Sequence, residues 1–181
     1  SLCDWSDVCS SDLGVTIGED NVSAILFADD IALLAETEQD LQNHFDTLDQ
    51  WCEIWKMDVN ADKTKVVHYR NPSVTRTQFN FNCGGKHIAV VEKYKYLGLW
   101  LTEHLDIGFM AKEIAKSAHR ALGLLIAKVK SYGGMPFNIY TRLYDSLVLP
   151  IITYGAAIWG QSERSCVNAV HNRACRFFLG V

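Results

Sequence analysis

The segment AILFADDIALLAE, residues 24–36, sets two carboxylates, Asp29 and Asp30, side by side in a run that is otherwise almost wholly apolar. An ionised carboxylate left unpaired in a protein interior costs roughly several kcal/mol. Any fold for this chain must therefore lift both groups clear of its core or supply cations for them. VSAILF (22–27) and IALLAE (31–36) each have the length of a buried strand, so strand, tight turn and strand is the economical arrangement. Asp also favours turns for local hydrogen-bonding reasons, which makes an ordinary Asp-rich turn the plain alternative. Held at the tip of a hairpin, however, adjacent aspartates can be aimed at one point. Mg²⁺ typically takes one or two protein carboxylates together with substrate phosphates. Two such ions about 4 Å apart would stabilise the entering and leaving oxygens of a phosphoryl transfer.

After the hairpin, Thr37 followed by Asp40 resembles a helix start, and Leu41, Phe45, Leu48, Cys52 and Trp55 recur on one helical face. That helix is expected to pack against the hairpin's sheet. KVVHYR (65–70) reads as a strand, NPSVTRTQ as a loop, and FNFNCGGKHIAVV as a hairpin turning at Gly84-Gly85. YKYLGLWLT (94–102) is strand-like and interrupted at Gly98. From Asp106 to Tyr132, Ile107, Met110, Ile114, Ala118, Leu122, Leu125 and Val129 describe a long amphipathic helix bearing Lys112, Lys116, Arg120, Lys128 and Lys130. GGMP ends it. PFNIYTRLYDSLVLP and SERSCVNAVHNRACRFFL are two further helices, the second opened by Ser162 or Ser165. Trp51, Trp55, Trp100 and Trp159 fall on apolar patterns and are expected in the core. The fold class is α+β, with a boundary near 103–106 and helices after it.

The net charge of −4 conceals a split: residues 1–65 hold 15 Asp/Glu against 3 Lys/Arg, residues 66–181 hold 6 against 14. A basic second part suits a polyanion and an acidic first part suits cations, although solvated faces of opposite sign would look the same. The six cysteines form no CxxC pair and follow no secretory signal, which points to free thiols in an intracellular, cytoplasmic or nuclear, protein. Cys166, His171 and Cys175 lack the paired spacing of a zinc site. No apolar run is long enough to span a membrane. Residues 1–13 have neither helical nor strand periodicity, and Cys3–Leu13 resembles a translated sequencing adapter, so they are set apart as a non-native leader.

In order along the chain, FADDIALLAE, a helix, NADKTKVV and YKYLGLWLT resemble the second half of a reverse transcriptase palm, most nearly that of the non-LTR (LINE-type) retrotransposons. LYDSLVLPIITYGAAIWG and NRACRFFLG resemble the thumb that follows it in that family. The resemblance covers residues 14–181, and implies a partial palm with a primer-grip hairpin over 14–103 and a helical thumb over 104–181. It implies that Asp29 and Asp30 are catalytic metal ligands for Mg²⁺, with Mn²⁺ as a substitute. It sets Lys63 of the N-x-x-K-T segment near the incoming nucleotide's phosphates, with Lys65 as a rival. Tyr96, Leu97 and Gly98 would grip the primer end, and Lys112, Lys116 and Arg120 would meet phosphates. The implied partners are an RNA template, a DNA primer and dNTPs.

The family's fingers and first palm half, with a third aspartate and a glycine-rich segment, have no counterpart in residues 1–14. The implied activity is therefore that of a polymerase fragment inactive alone, and the alternative is a nucleic-acid-binding remnant without chemistry. A metal-dependent hydrolase unrelated to polymerases has no use for KTKVV or YLG.

Overall fold

The structure is a computed structural model that describes residues 14–161 and 164–180; residues 1–13, expected from the sequence to be a leader, lie outside the described residues. It is a mixture of helices and small, mostly antiparallel sheets, in keeping with α+β. The chain divides into two compact units. One runs through His68 and resumes at Ser73–Val91, and the other comprises Tyr69–Pro72 and Glu92 onward.

In the first unit β1 (Val15–Ile17) pairs with β2 (Asp20–Val22), and β3 (Ala24–Phe27) pairs with β4 (Asp30–Leu33). Helix α1 (Glu38–Trp55) begins as its sequence expects: the Thr37 hydroxyl accepts from the Asp40 amide (3.1 Å) and donates to the Asp40 carboxylate (2.6 Å). Strands β5 (Lys65–Val66), β6 (Phe81–Cys83) and β7 (Lys86–Val90) form a sheet ordered β5-β7-β6. Gly84 and Gly85 both take positive φ, the sign pattern of a type I′ hairpin turn.

Phe45, Leu48 and Cys52 of α1 close over Val66, Phe81, Cys83 and Ile88. The Gln42 amide completes the contact by acting as a strand mate for β6. Its Nε2 donates to the Asn82 carbonyl (2.8 Å) and its Oε1 accepts from the Asn82 amide (3.0 Å). The helix thus packs mainly on β6, which corrects the expectation that it covers the Asp29-Asp30 hairpin. From that hairpin Leu33 packs against this core, while Ile25, Leu26 and Phe27 stay 48%, 51% and 62% exposed. KVVHYR is a strand only at Lys65–Val66, because the chain leaves the first unit at Tyr69. Trp55, at the last turn of α1, is exposed rather than in the core.

In the second unit, residues 94–102 form a hairpin broken at Gly98: β8 (Lys93–Tyr96) and β9 (Leu99–Thr102) reverse at Leu97-Gly98. Helix α2 (Ile107–Ser131) is capped by Asp106, whose carboxylate accepts from the Phe109 amide (3.0 Å). Its buried face contains Met110, Ile114, Ala118, Leu122, Leu125 and Val129, as the periodicity expects, and adds Ala111 and Ala115, while Ile107 of the expected set is exposed in the first turn. Around it gather α3 (Phe137–Leu147), α4 (Leu149–Thr153), α5 (Ala156–Trp159), α6 (Ser165–Leu179) and β9. Tyr140 fastens α3 to α6 by donating to the Ala174 carbonyl (3.0 Å). Residues 69–72 join this unit through Arg70, whose amide donates to the Glu103 carbonyl and whose guanidinium pairs with the Glu103 carboxylate, both at 3.0 Å. Helix α6 starts with Arg164 at its cap position and no side-chain cap bond. Ser165 is already helical, and Ser162 lies outside the described residues. No helix among the described residues is long and apolar enough to cross a membrane.

Gly155 has φ +63°, and a Cβ there would stand 2.7 Å from Leu99 Cδ1. Gly155→Ala should therefore destabilise the second unit by about 1–3 kcal/mol, read as a lower urea midpoint at unchanged slope. A second expectation concerns pH. Burial, then the charges of Asp49, Cys52 and Asp46, pushes the Cys83 thiol from 9.0 up to about 11. The folded state holds that proton more tightly, so the advantage is complete below pH ~9 and fades as pH rises toward ~11. Wild type should lose more stability than Cys83→Ala across that interval in urea titrations.

Candidate functional site

The turn between β3 and β4 is built from Ala28 and Asp29, with Phe27 and Asp30 as the last cross-strand pair. Ala28 has φ +53°, in the region that favours glycine, whereas Asp29 keeps a negative φ. Positive φ at the first of two loop residues is the sign pattern of a type II′ turn, which glycine normally opens. Alanine there costs of order 1 kcal/mol or more of backbone strain, and strained turns of this kind cluster at ligand-holding sites. One carboxylate sits on the turn and the next on the first residue of β4, both exposed. Neither needs a buried counter-charge, and that resolves the conflict posed by their apolar surroundings.

Two adjacent hard-oxygen donors at a solvent-facing tip suit a Mg²⁺-type ion, which takes one or two carboxylates and completes its octahedron with waters or phosphates. Among the described residues, no group of three or more His, Cys, Asp or Glu side chains is arranged to hold a metal. An ion held by Asp29 and Asp30 would have to take the rest of its coordination shell from waters or phosphates.

Lys63 lies on a different turn of the same unit, and the N-x-x-K-T spacing has a local physical cause. The Asn60 carbonyl accepts from the Lys63 amide (3.1 Å), the Thr64 amide (2.9 Å) and the Thr64 hydroxyl (2.9 Å), while Asn60 Oδ1 accepts from the Lys63 amide (3.2 Å). Asn60 and Thr64 thus fold a single turn that leaves the Lys63 residue exposed. Lys65 differs: it is half-buried and its Nζ donates back to the Ala61 carbonyl (3.4 Å).

In the second unit, Tyr96, Leu97 and Gly98 form the β8–β9 reversal. Leu97 and Gly98 both have positive φ, +45° and +84°. The Tyr154 hydroxyl donates to the Leu97 carbonyl, and its ring lies where a Cβ on Gly98 would be 3.1 Å from Cε1. Tyr96 is half-buried, and its hydroxyl finds no hydrogen-bond partner among the described residues. A cavity of about 330 Å³ opens beside the reversal, lined by Lys95, Gly98 and Trp100 of the hairpin, Glu113 and Ser117 of α2, and Tyr154.

Lys112, Lys116 and Arg120 are exposed at four-residue spacing, one line along α2. Two of them bond to residues that line the cavity. Lys116 pairs with Glu113 (2.5 Å), and Arg120 donates to the Ser117 hydroxyl (3.0 Å). Surface pairs of this kind contribute little, about 0–1 kcal/mol, so these cations remain available to an anionic partner. The structure thus places Gly98 on the cavity wall with Glu113 and Ser117, to which Lys116 and Arg120 are bonded, while Lys112 is not tied to it. Sequence reasoning missed Tyr154 and Lys95 as parts of it: within YKYLGLWLT only Tyr96, Leu97 and Gly98 were singled out, and Tyr154 reaches Leu97 from 57 positions away.

Residues 4–101 match the model of the family described as reverse transcriptase (RNA-dependent DNA polymerase). Among curated proteins, the chain is 24% identical to the RNA-directed DNA polymerase from mobile element jockey of Drosophila melanogaster, over 85% of this chain and 17% of that one. It is 28% identical to the "Probable RNA-directed DNA polymerase from transposon BS" of the same organism, over 83% and 18%. A transposon-derived protein of Caenorhabditis elegans is 27% identical over 89% of this chain and 58% of its own length. The chain thus spans less than a fifth of the two polymerases. No solved structure matches it. With more than half of its residues matched by the family model, the chain belongs to the reverse transcriptase family, in the LINE-type retrotransposon group of its relatives.

Proposed function

We propose that this chain is part of an RNA-directed DNA polymerase that joins nucleotides to a primer 3′ end, with residues 14–103 in the palm and 104–181 as the thumb. The observation that carries the reading is the β3–β4 turn, where a strained Ala28 holds Asp29 and Asp30 in succession at an exposed tip. Asp29 and Asp30 hold Mg²⁺, or Mn²⁺ in its place. When bound, such an ion neutralises charge on the phosphates of the nucleotide and the primer terminus. Lys63, on the exposed Asn60 turn, adds a positive charge for the triphosphate, with Lys65 as its rival. The Tyr96–Gly98 reversal, braced by Tyr154, positions the primer. Lys112, Lys116 and Arg120 hold the template–primer backbone through interactions indifferent to sequence.

One observation favours a second reading, a nucleic-acid-binding protein without chemistry: two carboxylates are a thin set for a two-ion centre, and no third ligand joins them among the described residues. Removing an anchor from such a centre forfeits most of its transition-state charge stabilisation.

Two measurements test these readings. In fluorescence anisotropy with an RNA–DNA primer–template, the chain should bind with affinity that falls as salt rises. Lys112→Ala, Lys116→Ala and Arg120→Ala together should flatten the log–log salt slope by about one unit for each phosphate no longer neutralised. An unchanged slope would remove α2 from the interface. In a primer-extension assay with Mg²⁺, the chain by itself should add no nucleotide; extension abolished by Asp29→Asn would show that its two carboxylates suffice.

A further inference from the structure

A cluster of side chains unrelated to the polymerase reading lies between α3 and α6. His171 and Cys175 stand one turn apart on α6, with His171 Nε2 3.7 Å from Cys175 Sγ, a hydrogen-bond distance for sulfur. The other ring nitrogen, Nδ1, is 3.0 Å from the Tyr144 hydroxyl of α3, and the two rings meet edge to face with centroids 5.8 Å apart. Tyr144 is buried at 7% exposure, whereas Cys175 is open to solvent. Nucleophile, base and a fixed group that orients the base are therefore in line, the arrangement that activates a thiol.

The rest of the molecule supplies the contrast. Cys52 and Cys83 are buried in the first unit, and burial raises both thiols above their ordinary range. Cys166 is half-buried against the core of the second unit. Of these four cysteines, Cys175 is the exposed one, and it has an imidazole within hydrogen-bond reach of its sulfur. Burial, with the nearby Cys175, also raises the Tyr144 phenol, so it stays neutral and its oxygen can accept from an imidazolium Nδ1–H.

We propose that Cys175 is a nucleophilic modification site that takes small disulfides, with His171 as its base and Tyr144 as the positioning residue. The thiol proton passes to His171 Nε2, and the imidazolium is held between the Cys175 sulfur and the Tyr144 oxygen. The thiolate then attacks one sulfur of the disulfide. A new S–S bond forms to Cys175 as the old one breaks, and the departing sulfur leaves as a thiolate with the bonding pair. Cys175 is oxidised, the departing thiol is reduced, and the proton on His171 returns to it. This chemistry is independent of the polymerase assignment.

The test uses the purified full chain at neutral pH with 5,5′-dithiobis(2-nitrobenzoate) as probe and peptide mapping to assign each modified cysteine. Cys175 should react on the order of tenfold faster than Cys166 and than Cys175 in His171→Gln. Cys52 and Cys83 should stay unmodified until denaturant is added, which reports that each variant is folded. Tyr144→Phe keeps the buried ring and removes the hydroxyl, and it should slow Cys175 while leaving Cys166 unchanged. Equal Cys175 rates in wild type and His171→Gln would overturn the proposal. A Tyr144→Phe rate equal to wild type would remove Tyr144 from it.

Discussion

A carboxylate resists desolvation, and the architecture of the first unit follows from having two of them in its most apolar segment. The β3–β4 hairpin cannot be swallowed by a core without taking Asp29 and Asp30 with it. It stands apart instead, anchored to the core at its base by Leu33, with both carboxylates at its tip. Ile25, Leu26, Phe27 and Ile31 remain exposed as a consequence. The core is made elsewhere, by α1 against β6 and β7, and Gln42 seals the strand edge that α1 would otherwise leave open. The strain at Ala28 belongs to the same constraint, since the two-residue turn is what keeps the carboxylates consecutive at the end of the ladder.

The second unit obeys a different rule. Its organiser is the apolar face of α2, where Ala111, Ala115 and Ala118 allow close approach and Leu122, Leu125 and Val129 fill the space beyond. Because that face is fully engaged, the Lys112–Lys116–Arg120 line is left to solvent. The hairpin reversal at Leu97-Gly98 is held at the cavity rim by Tyr154 rather than by its own turn chemistry, since leucine is a poor residue for positive φ.

Much of this was legible in the sequence because it is local. Thr37 with Asp40 announced the start of α1, Gly84-Gly85 its hairpin, and the spacing from Met110 to Val129 the buried face of α2. The adjacent aspartates declared themselves by the cost of burying them. What stayed hidden depends on partners distant in sequence. Nothing in the Leu41–Trp55 periodicity says which sheet the helix will cover, and the end of its apolar stripe emerged into solvent at Trp55. KVVHYR has strand composition, yet Arg70 is claimed by Glu103, 33 positions away. The Tyr154–Leu97 and Tyr144–His171 bonds join segments whose own patterns carry no trace of each other.

The central claim is that the exposed tip at Asp29 and Asp30 is a divalent-cation site. It is tested most directly by adding substoichiometric Mn²⁺ to the isotopically labelled chain and following paramagnetic broadening of backbone amide signals. The account predicts broadening centred on Ala28–Ile31, competed by Mg²⁺ and abolished when Asp29→Asn and Asp30→Asn are combined. Broadening centred on another acidic surface, or unchanged in that double variant, would contradict it.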